Sequence, residues 1–274
     1  MEQGSKNIYF HVGTGKTGTT FLQYRVFPKL KGLYYIQRTR YPNAVNIIKA
    51  SNHSSYLVSR EFDQQLENEV KAFSHHFLNA VPIIVFRRHD SYIASQYRRF
   101  VKNGFAGSFS DFFNLERDNG RFRKQDLEYV RQINILEQHF TQKPIVLIYE
   151  DMQKDTLGFI NGLAARIGAT IELSAVDTTK KHASYTEKQL KAMRWLSGKM
   201  DMRKRRMFQN NFLNFFWKLG MGGFRYSFLF LAGLLPTTLF GNEPLIDPAA
   251  LSRVRELYAN DWDECQKIAR TVKI

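Results

Sequence analysis

An α/β fold with a mainly parallel central sheet and helices on both faces, followed by a helical C-terminal part, is the architecture the sequence predicts. Three observations support it. Apolar runs of strand length alternate with helical periodicity along the first part of the chain. Two of those runs, 82–86 and 144–149, are apolar throughout, as strands covered on both faces are. The first strand leads through a glycine-rich loop directly into a helix, the arrangement found at the carboxyl edge of doubly wound sheets. The chain has 274 residues, 43% hydrophobic and 14% aromatic, enough for one large core domain with an appended part. The expected division is 1–184 for the core and 185–274 for the helical remainder.

Taken in order, the strand beginning at Asn7 is followed by the loop and a helix to about Leu30. A short strand over 32–36 precedes a basic loop over 37–42, and a helix over 44–49 leads to a second core strand over 54–59. Arg60, Glu61 and Phe62 follow at its carboxyl end, where ligands of such sheets lie. An amphipathic helix over 63–79 precedes the strand 82–86, which ends in Arg87-Arg88-His89-Asp90. Asp90 or Ser91 caps the next helix, which stops near Asn103-Gly104. Helices over 109–115 and 126–140, the strand 144–149 and a helix over 156–167 complete the alternation. From Thr178 onward strand signals fade, and the last helix spans about 248–273.

The loop His11-Val12-Gly13-Thr14-Gly15-Lys16-Thr17-Gly18-Thr19-Thr20 is an anion cradle. Its three glycines permit tight turns and close approach, and the N–H groups of Thr17, Gly18, Thr19 and Thr20 sit at the positive end of the following helix. Counted from Gly13, a Walker A frame would end in Gly-Lys-Ser or Gly-Lys-Thr, yet here it gives Gly18-Thr19-Thr20. The lysine stands instead at Lys16, ahead of the helix, where its amine can meet charge developing on a bridging oxygen.

The run Lys16-Thr17-Gly18-Thr19-Thr20-Phe21-Leu22 resembles the 5′-phosphosulfate loop of the sulfotransferases, of the bacterial and carbohydrate type. A second resemblance is Arg87 at a strand end with Ser95 eight residues on, the spacing at which that family binds the 3′-phosphate of 3′-phosphoadenosine 5′-phosphosulfate (PAPS). An arginine fork with a nearby hydroxyl suits a phosphate on physical grounds as well. The family often carries Asn-Pro after that arginine, whereas this chain has Arg88-His89, so either Arg87 or Arg88 can face the donor. The resemblance spans about residues 7–184 and implies a P-loop-like sulfotransferase fold with PAPS as donor. It implies further that Gly15, Lys16, Thr17, Gly18, Thr19, Thr20, Arg87 and Ser95 bind the donor and that Lys16 assists departure of the leaving group. Lys181 and Ser184 resemble a loop that folds over the donor, although a solvated basic turn explains that run too. Glu61 resembles the strand-end base of glycan-modifying members; His53, just before the same strand, is the alternative base.

Lysine and arginine number 40 against 25 acidic residues, a net charge of +15, so partners should be anionic. The acceptor expected is a hydroxyl of a carbohydrate or glycolipid. A P-loop kinase or nucleoside triphosphatase is the alternative enzyme, with Glu150-Asp151 as its magnesium holder, and a non-enzymatic anion or nucleic-acid module is the third reading. Nucleic acid is not expected, since no base-stacking surface interleaves the basic residues. No metal is implied either: His75 and His76 are adjacent and diverge on a helix. His11 is expected to be a core histidine and Cys265 a small apolar packer. No apolar leader precedes the first strand, which points to a cytoplasmic protein. In the C-terminal part a basic cluster at 199–206 precedes apolar segments at 212–217 and 224–240, too short and too interrupted to span a membrane. They suit a packed apolar hairpin, a lid over a lipid-bearing acceptor, or a segment over 199–240 lying peripherally at the inner membrane face.

Overall fold

The computed structural model describes residues 6–179, 185–203, 205–241 and 243–271. By contacts the chain forms two compact units: residues 1–92, 125–179 and 255–274 make the first, and residues 93–124 and 180–254 the second. The final segment thus belongs with the sheet, and 93–124 with the C-terminal helices.

The first unit is built on five strands, β1 (Asn7–His11), β2 (Tyr34–Ile36), β3 (Ser55–Ser59), β4 (Val81–Phe86) and β5 (Ile145–Ile148), in the order β2-β3-β1-β4-β5 with every pairing parallel. The α/β fold class is as the apolar runs predict. Because the chain moves from β1 to one side for β2 and β3 and returns to the other for β4, the carboxyl end of β1 is the switch point where a crevice opens.

Alternate residues of each strand serve opposite faces. On one face Phe10, Val58, Ile84 and Val146 pack with Ile48, Val70, Phe73 and Leu136. These come from α2 (Ala44–Ala50), α3 (Leu66–Ser74) and α6 (Tyr129–His139). On the other face Leu57, Ile83, Val85 and Leu147 pack with Leu22, Val26, Phe27, Ile160 and Leu163. The last two belong to α8 (Thr156–Arg166).

The helix expected to run from the cradle to Leu30 is segmented. A turn of α-helix, α1 (Thr19–Phe21), passes into π-helix over Leu22–Val26 and 3₁₀ over Phe27–Lys29. Pro28 brings no N–H to the ladder, so the regular bonding ends ahead of it. Helix α3 is shorter than the expected 63–79, and one helix was not foreseen, α7 (Tyr149–Lys154) directly after β5.

The last helix also divides, into α11 (Pro248–Leu257) and α12 (Ala259–Thr271). At the break Tyr258 stacks on His89 at 4.7 Å, and Tyr129 covers that ring's other face at 4.0 Å. Asp261 then accepts hydrogen bonds from the N–H groups of Tyr129 and Val130, at 3.0 and 3.1 Å, and is 2.9 Å from His89 Nε2. A carboxylate from α12 thereby caps α6, whose own N-cap Glu128 makes no side-chain cap. Cys265 is fully buried in the first core cluster, the packing role its sequence suggests, and burial raises its thiol pKa.

The second unit holds most of α4 (His89–Lys102) with α5 (Phe109–Phe112), α9 (Glu187–Lys199) and α10 (Asn211–Leu234). Phe112 gathers Tyr97, Phe100, Phe105 and Phe122 about it at centroid distances of 5.0–5.8 Å. Met193, Leu196, Met202 and Leu229 join α9 to α10. Helix α10 is one continuous element where the sequence suggests two apolar segments, and it ends before Pro236. Among the described residues no helix is long and apolar enough to cross a membrane.

Candidate functional site

The cradle leaves β1 at the switch point and is fixed on both sides. Val12 N–H donates to the carbonyl of Ile83 on β4, and Phe62 N–H, just past β3, donates to the carbonyl of Gly13. Thr17 is buried and closes the loop internally, its Oγ1 donating to the carbonyl of Thr14 at 2.7 Å. Gly15 N–H donates to Asp63 Oδ1 at 2.9 Å. Lys16, exposed, and Gly18 both have positive φ, +73° and +83°. At Gly18 any other residue is strained by the backbone, and a Cβ there would lie 2.1 Å from Met152 Cε, so that side chain would have to move. Gly18 is also the N-cap of α1 and makes no side-chain cap, and no backbone acceptor among the described residues takes the N–H groups of Thr17 to Thr20. Those donors stand at a helix start, where anion sites occur.

His11 forms the floor. Its Nδ1 is 2.8 Å from Ser59 Oγ, which also accepts from Gln23 Nε2 at 3.0 Å. A Cβ on Gly13 would lie 2.8 Å from its Nε2. Complete burial pushes the imidazole pKa down to about 3, so the ring is neutral. It is the core histidine the sequence suggests.

Arg87 stands at the exit of β4 against the cradle itself. Its Nε donates to Ser91 Oγ at 2.8 Å, its Nη1 donates to the carbonyl of Lys16 at 3.2 Å, and the guanidinium lies 4.8 Å from the centre of the Tyr149 ring. With Nε and one Nη1 hydrogen engaged, the remaining edge of the fork can serve a ligand. Its neighbour Arg88 is turned into a fork with Asp90, at 2.7 and 3.0 Å. Of the two arginines the sequence leaves open, Arg87 is the one at the cradle.

Glu61 lines a cavity of about 480 Å³ with Tyr41, Arg60, Phe62, Glu69 and His76. Its Oε1 is buried without a hydrogen-bond partner. His53 lies elsewhere. It precedes β3, at the amino edge of the sheet, stacked on Tyr34 at 4.4 Å, whereas cradle and Glu61 lie at the carboxyl edge. Ser95 sits half-buried on α4 within the second unit, and Lys181 and Ser184 lie outside the described residues.

Glu150, offered by the sequence as a magnesium holder, is committed otherwise: its Oε1 accepts the N–H of Arg88 at 3.1 Å. Asp151 lines a separate cavity of about 190 Å³ with Arg166 and Arg270. Among the described residues no group of three or more His, Cys, Asp or Glu side chains could hold a metal ion.

Three participants escape sequence reasoning: Asp63, which holds Gly15, and Ser91 and Tyr149, which hold Arg87. Only Ser91 left a signal, a hydroxyl in the first turn of the helix that follows Arg87.

No family model matches the chain, and no curated protein does. Among solved structures, a sulfotransferase from Alicyclobacillus acidocaldarius matches with a TM-score of 0.50 at 15% identity, over 71% of this chain and 93% of the other. Mouse sulfotransferase SULT7A1 complexed with PAP matches with a TM-score of 0.39 at 14% identity, over 91% of this chain and 89% of the other. On the architecture shared with the bacterial structure, the parallel sheet with its cradle at the switch point is a sulfotransferase fold.

Proposed function

We propose that this protein is a sulfotransferase that moves the sulfuryl group of PAPS to a hydroxyl of a carbohydrate or glycolipid acceptor. The observation that carries the reading is the seating of Arg87 against the Lys16 carbonyl. Two anion-binding features, one from each of two adjacent strands, meet there, as a nucleotide with phosphate at both ends needs. The resemblance of the cradle sequence and the fold of the bacterial neighbour support it.

In this reading the N–H groups of Thr17 to Thr20, with the hydroxyls of Thr19 and Thr20, hold the 5′-phosphate. Arg87 takes the 3′-phosphate, and Ser95, Lys181 and Ser184 join on their sequence pattern alone. Glu61 accepts the proton of the acceptor hydroxyl as that oxygen bonds to sulfur. The bond from sulfur to the bridging oxygen breaks, its electron pair leaves with the nucleotide, and the Lys16 ammonium meets the charge that develops there. The place of Glu61 in the wall of the cavity suits a base that meets the acceptor there. Aromatic and polar groups together in the cavity suit a polyhydroxyl acceptor with apolar ring faces.

Calorimetry with adenosine 3′,5′-bisphosphate and with ATP, each with and without magnesium, tests the donor. The bisphosphate should bind more tightly and without need of the metal; tighter, magnesium-dependent ATP binding would overturn the reading. Lys16→Ala should lower transfer by about 10²–10³ while the bisphosphate still binds, and full activity would remove Lys16 from the reaction. Arg87→Ala should weaken the 3′-phosphorylated nucleotide by on the order of tenfold or more and spare adenosine 5′-phosphosulfate. Equal loss for both would place Arg87 away from the 3′-phosphate.

A further inference from the structure

A helix packed on a soluble protein ordinarily turns its apolar stripe inward and its polar residues to water. Helix α10 is arranged the other way. Its buried positions are Asn214, Gly222, Arg225, Leu229 and Ala232. On the opposite side Phe212, Phe215, Phe216, Leu219, Phe230 and Leu234 are exposed, Phe212, Phe230 and Leu234 at 68, 69 and 71%. Nor can the helix roll to hide them, because its roll is fixed by polar bonds on the inward side. Asn214 Oδ1 accepts the N–H of Met207 at 3.2 Å, and Arg225 Nη1 donates to the carbonyl of Met202 at 3.4 Å. From α9, Gln189 Nε2 donates to the carbonyl of Leu229 at 2.9 Å and Lys188 Nζ to that of Gly233 at 2.8 Å.

Charge points to the kind of surface this face fits. Over 199–242 there are seven basic residues and one acidic, Asp201, and none of the residues 202–242 is acidic. Arg203 and Arg205 share that one carboxylate at 2.8 and 3.1 Å. Arg206, also exposed, donates to Asn211 Oδ1 at 3.1 Å beside the first turn of α10. An exposed aromatic face with a basic collar is complementary to an anionic bilayer surface. Crossing the bilayer is a different matter: the helix does not meet the apolar requirement of a span, and Lys218 and Arg225 would be carried into hydrocarbon.

We propose that α10 is a membrane-docking element that lies in the plane of an anionic phospholipid surface, with its Phe and Leu face inserted at the headgroup boundary and the exposed Arg203, Arg205 and Arg206 on the phosphates. The proposal is independent of the sulfotransferase reading, since docking is measured without donor or acceptor. The full chain is sedimented with vesicles of phosphatidylcholine alone and with phosphatidylglycerol added. It should pellet with the anionic vesicles, remain in solution with the neutral ones, and be released as salt is raised. Phe212→Ala/Phe230→Ala/Leu234→Ala removes only exposed side chains and favours the helix, so its thermal melting should match the parent. Its partition onto anionic vesicles should fall by on the order of 10² or more, and that of Arg205→Ser/Arg206→Ser by about tenfold. Failure to pellet with anionic vesicles, or equal partition of parent and triple variant, overturns the proposal. So does a dimer in lipid-free sedimentation velocity that the triple variant dissolves, because the face would then belong to a second copy.

Discussion

Substituting Gly18 with alanine separates two costs that the cradle combines. The first is backbone: at φ +83° an L residue pays about 1–2 kcal/mol. The second is steric. The new Cβ would stand 2.1 Å from Met152 Cε and 3.4 Å from Tyr149 Cδ2, and Met152 is only 5% exposed within the second core cluster. Its thioether must retreat by roughly an ångström or more against close-packed neighbours, which costs about 1–3 kcal/mol by comparison with other overpacked cores. Together Gly18→Ala should cost about 2–5 kcal/mol and lower the melting temperature by roughly 5–15 °C for a chain of this size. Gly168→Ala is the control. It also has positive φ, +62°, but its Cβ would meet nothing nearer than Tyr9 Oη at 3.9 Å, so it pays the backbone cost alone. Scanning calorimetry of both, and of Gly18→Ala in a Met152→Ala background, reads the steric part directly. Equal melting of the two alanine variants, or additive losses in the double variant, would refute the claim that Met152 packs against the cradle where a Cβ at Gly18 would displace it.

Two further outcomes follow from buried polar groups. His11 is held neutral, its pKa about 3 in the fold against 6.5 in the open chain, so the unfolded state takes up the proton first. Its stabilisation is whole above pH 6.5 and is lost as pH falls from there toward 3, at about 1.4 kcal/mol per pH unit. Urea titrations across that window should show a shallower acid slope for His11→Asn than for the parent, and identical slopes would exclude His11 as the source. Asp261→Ala removes the acceptor of two N–H groups and the partner of a buried imidazole, and should cost about 3–5 kcal/mol in chemical denaturation. A loss below about 1 kcal/mol would mean that water satisfies the start of α6 equally well.

The strands and their parallel pairing were legible because β4 and β5 are apolar on both faces, a pattern that only a doubly covered sheet produces. The cradle was legible because its chemistry is local: glycines, a lysine and a helix start within ten residues. Helix α7 was not, since Tyr149–Lys154 carries one buried apolar residue, Met152, and no period. Asp63 and Tyr149 reach the site across the sheet, a relation no linear spacing encodes. His53 and Glu61 show the converse. They are eight residues apart in sequence, yet the strand between them runs about 3.3 Å per residue and sends them to opposite edges of the sheet.

Unpartnered polar atoms are distributed as unevenly as these side chains. Buried side-chain atoms ordinarily find a hydrogen bond, and those that do not need an explanation. Among the described residues of the first unit, His11 Nε2, Gln23 Oε1, Glu61 Oε1, Gln132 Oε1 and Glu150 Oε2 lack a protein partner. His11 ends β1, Glu61 follows β3 and Glu150 follows β5, while Gln23 shares the hydroxyl of Ser59 with His11. Four of the five therefore lie at or near the carboxyl edge, where the loops open for a ligand; the fifth, Gln132, is on α6. The opposite edge is closed: Lys6 Nζ donates to the carbonyls of Ile48 and Ser51 at 2.6 and 2.8 Å, and Asn7 N–H to that of Ser54. A fold that completes its bonding at one edge and leaves it open at the other has given up stability where recognition takes place. Ligand bound to the folded state alone adds to its stability, so saturating adenosine 3′,5′-bisphosphate should raise the melting temperature of the parent and raise that of Arg87→Ala less.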